Sequence, residues 1–272
     1  PGSTFKVVSA LAALNDPSFE PGREIYCGPH YTIGNRRFPE NRSRGFGYIA
    51  MVEAIAQSSN VYFYQLGLSE GIRAIARQAR LLGLGEVTGI ELPFESTNSL
   101  VPDPDWKRSR GRGGWLGGDT ANVSIGQGDL LVTPLQMARL TAAVAARREY
   151  FPVTLLRDKN TSIYQPSRLS VGADRFDVIL EGMERCVTRG TGTSMQLPGV
   201  SIAAKTGTAQ VFPGGVEENL AWVIAFAPVE DPQVAVAVVV EDIGASDPIY
   251  GGRTAGPVAS AVIEEYAGKY LN

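Results

Sequence analysis

Ser3-Thr4-Phe5-Lys6 begins the stretch that decides the fold, and it leads directly into an apolar run over residues 7–14. This run predicts a buried helix. Ser3 and Lys6 are three residues apart, so on a helix their side chains lie on one face. A serine hydroxyl becomes an effective nucleophile when a neighbouring base takes its proton, and a lysine made neutral by burial can be that base. The pattern predicts a nucleophile and its base, although a surface serine and a solvated lysine would give the same motif.

A second polar cluster, Ser58-Ser59-Asn60, lies between helical patterns in the next part of the chain. Apolar spacing predicts three successive helices, over 48–57, around 62–68 and from 72 to a stop at Gly83 or Gly85. Helices that follow one another without strands indicate an all-helical subdomain, with the polar cluster held at its surface. The alternative interpretation of the cluster is an N-cap for the helix that follows it.

The third polar cluster is Lys205-Thr206-Gly207-Thr208, in the middle of a predicted strand at 201–211. A polar stretch with glycine inside an apolar strand indicates a sheet edge that a ligand's backbone approaches closely. An exposed edge protected by a lysine is the alternative. Together, S-x-x-K, S-x-N and K-T-G in this order form the signature of penicillin-binding proteins and related β-lactamases, with Asn in the middle element.

Other segments predict the framework around these clusters. Residues 16–47 predict long loops with a hairpin at 31–36 and a solvated basic cluster, for which contact with an anionic polymer is the alternative. Residues 92–119 predict a long loop, and Gly190 and Gly192 with their threonines resemble a phosphate loop only superficially. Helices are predicted at 133–148, 174–188 and 257–270, the last with Val258, Val262, Ile263 and Tyr266 turned inward. Strands are predicted at 220–227 and 234–241.

The composition bounds the class of protein. The chain has 272 residues, of which 44% are hydrophobic and 19% charged, as in ordinary globular proteins. This length predicts about two domains, or one large domain with an insertion. A net charge of -3 argues against a nucleic-acid partner. No uninterrupted apolar run reaches the roughly 18 residues that would predict a transmembrane helix.

Cysteine and histidine are rare in this chain. Cys27 and Cys186 are too few for a disulfide framework, and His30 is the only histidine. Cys27 and His30 do not complete a tetrahedral metal site, so we predict structural roles, no metal and no cofactor. A Ser-His-Asp triad is excluded unless His30 is its base.

With these motifs in place, the chain resembles the transpeptidase domain of class B penicillin-binding proteins, most closely the elongation or rod-shape type. The resemblance runs nearly end to end and includes residues 62–67, 100–107, 124–128, 131–136 and 221–228. It implies an α/β (α+β) fold of the β-lactamase/transpeptidase type: an antiparallel, five-stranded sheet flanked by helices beside an all-helical subdomain. We expect one domain over 1–272, with the helical subdomain at about 46–148 and the sheet-bearing part at 1–45 and 149–272.

The resemblance also implies roles in catalysis. Ser3 would be the acylated nucleophile and Lys6 its base. Ser58 and Lys205 would relay protons to the leaving group, while Asn60 would hold the peptide backbone and Lys6.

The strand motif would bind the substrate. Thr206, Gly207 and Thr208 form the implied substrate-binding set, in which the two threonines would hold a terminal carboxylate that Lys205 also attracts. Backbone N–H groups of Ser3 and Thr208 would form the oxyanion hole.

The implied substrate is the D-Ala-D-Ala end of a peptidoglycan stem peptide, and β-lactams would trap the same serine. The implied setting is the bacterial inner membrane, with the catalytic domain on the periplasmic side and with a glycan polymerase and elongation-complex proteins as partners of the full-length protein. The family's sheet has strands upstream of the nucleophile that are absent here. We therefore expect an incomplete sheet with an uncovered apolar edge, and poor stability or activity of these 272 residues alone.

Two other functions remain open at this stage. A serine β-lactamase would share the nucleophile and the K-T-G strand, but no carboxylate in a deacylating motif is recognisable. A non-catalytic β-lactam sensor or pseudoenzyme would bind the drug without forming cross-links.

Overall fold

The computed structural model describes residues 1–147, 149–150, 153–156, 167–168, 171–211, 218–241 and 249–271. The α-helices within these ranges are α1 (Lys6–Leu14), α2 (Met51–Ala56), α3 (Asn60–Glu70), α4 (Ile72–Leu81), α5 (Pro104–Ser109), α6 (Gly117–Ser124), α7 (Pro134–Ala145), α8 (Ala173–Thr188) and α9 (Gly256–Tyr270). The strands are β1 (Ile25–Cys27), β2 (His30–Ile33), β3 (Arg36–Pro39), β4 (Gly47–Ile49), β5 (Glu149–Tyr150), β6 (Ser167–Arg168), β7 (Ala203–Val211), β8 (Glu218–Ala227) and β9 (Val234–Glu241).

Helix α1 lies at the centre of the molecule, as the apolar run predicted. Every residue from Lys6 to Leu14 is buried, because α3, α4 and α8 pack around it. A 3₁₀ turn at Gly2–Phe5 precedes it directly, so Ser3 lies one turn before the helix. The predicted helices at 48–57, 62–68 and 72–82 are confirmed as α2, α3 and α4.

The segment between α1 and α2 forms two antiparallel strand pairs. β1 pairs with β4, and β2 pairs with β3 around a turn at Gly34 and Asn35, which confirms the predicted hairpin. The basic side chains near this hairpin are exposed, as a solvated face requires: Arg36, Arg37, Arg42 and Arg44. Residues 1–45 thus contribute a helix to the helical core, and the proposed division at 46 and 148 stays a prediction.

The main sheet has the strand order β7-β8-β9 and is antiparallel throughout. Its side chains alternate between two cores, as the period of a strand requires. Trp222, Ile224 and Phe226 face the large core that includes α7 and α8, whereas Ala221 and Val223 face a smaller core closed by α9. The sheet therefore has helices on both faces, which confirms the predicted fold class.

The described sheet has three strands, fewer than the five that the resemblance implied. β9 is an edge strand, and its residues from Val234 to Val240 are all partly exposed. The expectation of an uncovered apolar edge is met within the described residues. Low stability or activity of this chain alone stays a prediction.

Two expectations for secondary structure and packing were wrong. Residues 92–119 are not all loop, since Asp103 caps the short helix α5 with its side chain and Pro104 stands at the first helical position. On α9, Val258 and Val262 are each 47% exposed, because the residues one position further on, Ala259 and Ile263, face the sheet instead. Ile263 is buried as predicted. Residue 148, the expected end of α7, lies outside the described residues.

Candidate active site

The nucleophile segment, residues 1–5, lies between the edge strand β7 and the turn at Gly126. The Gly2 N–H donates to the Gly126 carbonyl at 3.0 Å. Gly2 has a φ of +55°, and a Cβ on it would lie 2.6 Å from the Thr208 carbonyl oxygen, so only glycine fits here. This close approach holds Ser3 beside the K-T-G strand, with its side chain lining the cleft.

Lys6 lies beneath the cleft and is fully buried. Its amine donates to the Ser58 carbonyl at 2.6 Å, to the Ser58 hydroxyl at 3.3 Å and to Asn60 Oδ1 at 2.7 Å. Desolvation holds the pKa of the Lys6 amine well below its usual value; the charge of Lys205 lowers this pKa further, and that of Glu40 raises it. In its neutral form the amine keeps two N–H donors, enough for the two shorter bonds, and has a lone pair that can accept a proton from a serine.

Ser58 occupies a strained turn between α2 and α3. Its φ is +60°, a left-handed conformation that costs a non-glycine residue roughly 1–3 kcal/mol. The hydroxyl of Ser59 accepts a bond from the Tyr62 N–H, so the N-cap interpretation is also correct. The sequence predicted this cluster at the surface, but Ser58 and Ser59 are buried, because the turn forms the helical wall of the cleft and lies over Lys6.

β7 forms the opposite wall of the cleft and is an edge strand, as predicted. Lys205 is fully buried, which rules out the alternative of a solvated protective lysine. Its amine donates to the Thr206 carbonyl at 2.9 Å, and burial lowers its pKa from 10.5 to about 8. A Cβ at Gly207 would lie 2.7 Å from the Pro1 carbonyl oxygen and 3.0 Å from the Thr4 nitrogen, so this strand position also requires glycine.

The two threonines of β7 have partners outside the predicted motifs. The Thr206 hydroxyl is 2.5 Å from that of Thr191, and the Thr208 hydroxyl accepts from the Gly251 N–H at 3.4 Å. The Gln127 side chain donates to the Thr208 carbonyl at 3.3 Å. These contacts leave both hydroxyls at the cleft surface in fixed positions.

The cleft between these walls has a volume of about 690 Å³ and brings all three motifs together. Its described lining consists of Ser3, Asn41, Ser58, Asn60, Ile125, Gln127, Thr191, Thr206, Gly207, Thr208, Tyr250, Gly251, Gly252 and Arg253. This described lining contains no carboxylate, while the buried Lys205 belongs to one wall and Arg253 also lines the cleft. The electrostatics favour an anionic ligand.

Sequence reasoning missed several lining residues. Asn41 and Arg253 carry no local motif, and Thr191 lies in a segment whose glycines and threonines only suggested a phosphate loop. Gln127 was noted within a family-like run but not as a site residue. Contacts between distant segments, such as Thr191 with Thr206, have no signal in a single sequence.

The cysteines and the histidine lie apart from this chemistry. Cys27 and Cys186 are free and buried, and burial raises the pKa of the Cys27 thiol to about 11. His30 is an exposed residue of β2. Within the described ranges, no group of three His, Cys, Asp or Glu side chains could hold a metal ion. Nor does any described helix have the length and apolarity needed to cross a membrane.

A serine lines this cleft, a buried amine binds the helical wall, and a second buried amine and two threonine hydroxyls belong to the wall opposite. This arrangement is the one expected of serine acyl-transfer sites that use lysine in place of histidine. The sequence profile described as "Penicillin binding protein transpeptidase domain" matches residues 1–264. The chain belongs to this family of transpeptidase domains.

Known proteins agree with this assignment. The chain is 29% identical over 298 residues to "Peptidoglycan D,D-transpeptidase MrdA" of Haemophilus influenzae, covering 100% of this chain and 44% of that protein. Penicillin-binding protein PBP2 of Helicobacter pylori, solved in complex with MreC, gives a TM-score of 0.86 at 30% identity, covering 99% of this chain and 50% of that one. A chain of a peptidoglycan synthase complex gives a TM-score of 0.83 at 34% identity, covering 98% and 46%. The chain thus spans about half the length of these relatives.

Proposed function

We propose that this chain is the catalytic domain of a peptidoglycan D,D-transpeptidase of the elongation type, which cross-links stem peptides through an acyl-enzyme on Ser3. The observation that carries the proposal is the fully buried Lys6 amine, bound to Ser58 and Asn60 under the cleft that Ser3 lines. An enzyme that uses serine without histidine needs such an amine. The known relatives support the reaction class, since MrdA is named as a peptidoglycan D,D-transpeptidase.

Acylation would begin with transfer of the Ser3 proton to Lys6. The Ser3 oxygen would then attack the carbonyl carbon of the penultimate D-Ala, and the resulting oxyanion would accept bonds from the Ser3 and Thr208 N–H groups. As the C–N bond breaks, Ser58 would pass a proton from the Lys6 ammonium to the leaving D-Ala nitrogen. The 3.3 Å contact between the Lys6 amine and the Ser58 hydroxyl supports this relay.

Cross-linking would reverse these steps with a new nucleophile. The amine of a second stem peptide would attack the ester carbonyl, lose a proton to the neutral Lys6 and displace Ser3, which regains its proton. The product is a new peptide bond between two stems, and no external reactant is required. Water would compete poorly, because the described cleft lining has no carboxylate to activate it.

Binding of the substrate carboxylate would depend on β7. The hydroxyls of Thr206 and Thr208 line the cleft and are oriented by Thr191 and the Gly251 N–H. Lys205 lies beneath them, and its pKa of about 8 leaves it mostly charged near neutral pH. A cation under two hydroxyls suits a carboxylate ligand better than a neutral one.

Partners and location are also part of the proposal, and the relatives support the partners. The Helicobacter pylori PBP2 was solved with MreC, and another similar chain belongs to a peptidoglycan synthase complex. We propose that the full-length protein works with a glycan polymerase and an MreC-like elongation protein. It would be anchored in the inner membrane with this domain on the periplasmic side.

Intact-mass analysis after treatment with penicillin tests the proposal. The full-length protein should gain the mass of one penicilloyl group and keep it for minutes or longer, and Ser3→Ala should gain none. Ser9→Ala is a matched control, because Ser9 lies on α1, the helix that follows Ser3, donates to the Ser124 carbonyl and does not line the cleft. Steady turnover of a chromogenic cephalosporin would instead indicate a β-lactamase. A stable adduct without cross-linked product from stem-peptide donor and acceptor would indicate a sensor or pseudoenzyme.

A further inference from the structure

A buried carboxylate lies behind the helical wall of the cleft, outside all three motifs. Glu40 directly follows β3 and is 8% exposed. Its Oε1 accepts from the N–H groups of Asn60 at 2.5 Å and of Asn41 at 2.8 Å. Its Oε2 accepts from the Ser59 hydroxyl at 2.6 Å and the Val61 N–H at 3.0 Å. Four donors saturate this carboxylate, and three of them belong to the S-x-N turn and the first residues of α3.

The neighbouring residue binds the same turn from the solvent side. The Asn41 amide donates to the Ser58 carbonyl at 2.9 Å and to the Gln57 carbonyl at 3.1 Å. The Ser58 carbonyl is also the oxygen that accepts from the Lys6 amine. Glu40 and Asn41 together therefore hold both residues that the Lys6 amine contacts.

The strained backbone explains why such a clamp is needed. A non-glycine residue at a φ of +60° persists only where surrounding contacts overdetermine it. Ser58 presents its hydroxyl to Lys6 from this conformation. Without the clamp, the turn could relax toward a more ordinary conformation and move that hydroxyl away from the amine.

We propose that Glu40 is a positioning residue for acyl transfer that fixes Ser58 and Asn60 around the Lys6 amine. Through its negative charge Glu40 also favours the protonated form of that amine. Asn41 supports the first of these effects. The inference rests on the proposed function, since it assigns Glu40 to the same reaction.

The charges around these groups define the expected pH dependence. Lys6 faces the charged groups Glu40 and Lys205, from opposite walls of the cleft. Burial and, to a smaller extent, the charge of Glu40 raise the pKa values of Cys27 and Tyr64, so neither group is charged near neutral pH. Removal of the Glu40 charge should therefore make the Lys6 amine lose its proton at lower pH.

The test measures, at several pH values, the rate at which a fluorescent penicillin acylates the full-length protein. Glu40→Gln should acylate about 10- to 100-fold more slowly at pH 7, because one carboxylate oxygen is replaced by an amide donor, which leaves either the Val61 N–H or the N–H groups of Asn41 and Asn60 without their acceptor. In the profile of acylation rate against pH, the rising acid limb of this variant should lie at lower pH than that of the wild type. Glu40→Asp should keep the acid limb in place while losing rate, and Glu265→Gln, which removes an exposed charge on α9, should match the wild type.

Two results would overturn the proposal: a wild-type rate for Glu40→Gln, or a slower rate with an unmoved acid limb, which would show a merely structural role. If Glu40→Gln fails to fold, Asn41→Ala takes its place, because Asn41 is exposed. This variant should lower the acylation rate about 3- to 10-fold, and an unchanged rate would count against the clamp. NMR titration of isotopically labelled Lys6, compared between wild type and Glu40→Gln, is independent of acylation. A wild type that penicillin does not acylate would refute the proposed function, while a Gln variant whose Lys6 amine loses its proton at lower pH than in the wild type would still support the charge coupling, and an unmoved titration would refute it.

Discussion

The two walls of the cleft are built in different ways. On the helical wall, Ser58 and Asn60 are held by side chains, namely Lys6 from below and Glu40 from behind. On the sheet wall, β7 is held by its ladder to β8 and by close backbone contact at Gly207. Side-chain contacts can be lost one at a time, whereas a strand keeps its place through many equivalent bonds. The helical wall should therefore respond to polar substitutions and the sheet wall mainly to steric ones.

Lys6→Met should produce the largest effect. It removes the base and leaves the Ser58 carbonyl and Asn60 Oδ1 without their buried donor, so acylation should fall by roughly 10³-fold, within the range of lost general-base catalysis. The measurement is the second-order rate of penicillin labelling. Lys269→Met, an exposed lysine on α9, should label at the wild-type rate. A loss below about tenfold for Lys6→Met would mean that another group is the base.

Gly207→Ala tests the sheet wall by sterics alone. The added Cβ would meet the Pro1 carbonyl at 2.7 Å and should push the nucleophile segment away from β7. A shift near 1 Å at a reacting group can cost about 10²-fold, so we expect that loss in acylation rate. Gly268→Ala on α9 is the matched control, because its Cβ meets nothing within 4 Å. Equal labelling rates for the two variants would refute the tight packing of this wall.

Lys205→Met separates stability from activity on the sheet wall. Between pH 8 and 10.5 the unfolded wild type binds more protons than the folded one, because burial lowers the pKa of Lys205 from 10.5 to about 8. The wild type should therefore gain stability as pH rises through this window. At pH 7 the free energy of unfolding should be larger for the variant than for the wild type by roughly 1–3 kcal/mol. The lost bond to the Thr206 carbonyl reduces this difference.

This advantage of Lys205→Met should shrink as pH rises from 8 to 10, and denaturant unfolding of both proteins at several pH values measures it. A difference in unfolding free energy that stays constant across that window would show that Lys205 is not desolvated. Labelling by penicillin should be strongly reduced in the variant at every pH.

Thr191→Val should produce the smallest effect. It removes the hydroxyl partner of Thr206, and one neutral hydrogen bond corresponds to a factor of about 3–10. The loss should appear in the concentration of penicillin needed for half-maximal labelling rate more than in the limiting rate, since Thr206 binds rather than reacts. Thr193→Val, at an exposed position nearby, should leave both quantities unchanged.

The same contrast between walls explains what the sequence could predict. Strand β7 and its motif were predictable, because alternation and a polar break with glycine are local signals. Helix α1 was predictable from apolar spacing, and the pairing of Ser3 with Lys6 stays a prediction from their separation of three residues. The burial of Ser58 was not, because it depends on Lys6 and Glu40, which are distant in sequence.

Two local errors have physical causes as well. Helix α5 was missed because a proline ordinarily breaks a helix, yet at the first position after the Asp103 cap it begins one. On α9, Val258 and Val262 were expected inside, but Ala259 and Ile263 face the sheet in their place. Tertiary packing decided both cases, and local propensity did not.

The most direct test of the account is the pH dependence of Ser3 acylation by penicillin in the wild-type protein. A Lys6 amine desolvated between Ser58, Asn60 and the positive charge of Lys205 should already be neutral well below the ordinary lysine pKa. The rate should therefore reach its plateau well below the ordinary lysine pKa of about 10.4. A rate that keeps rising up to pH near 10.4, as for an unperturbed lysine, would contradict the account.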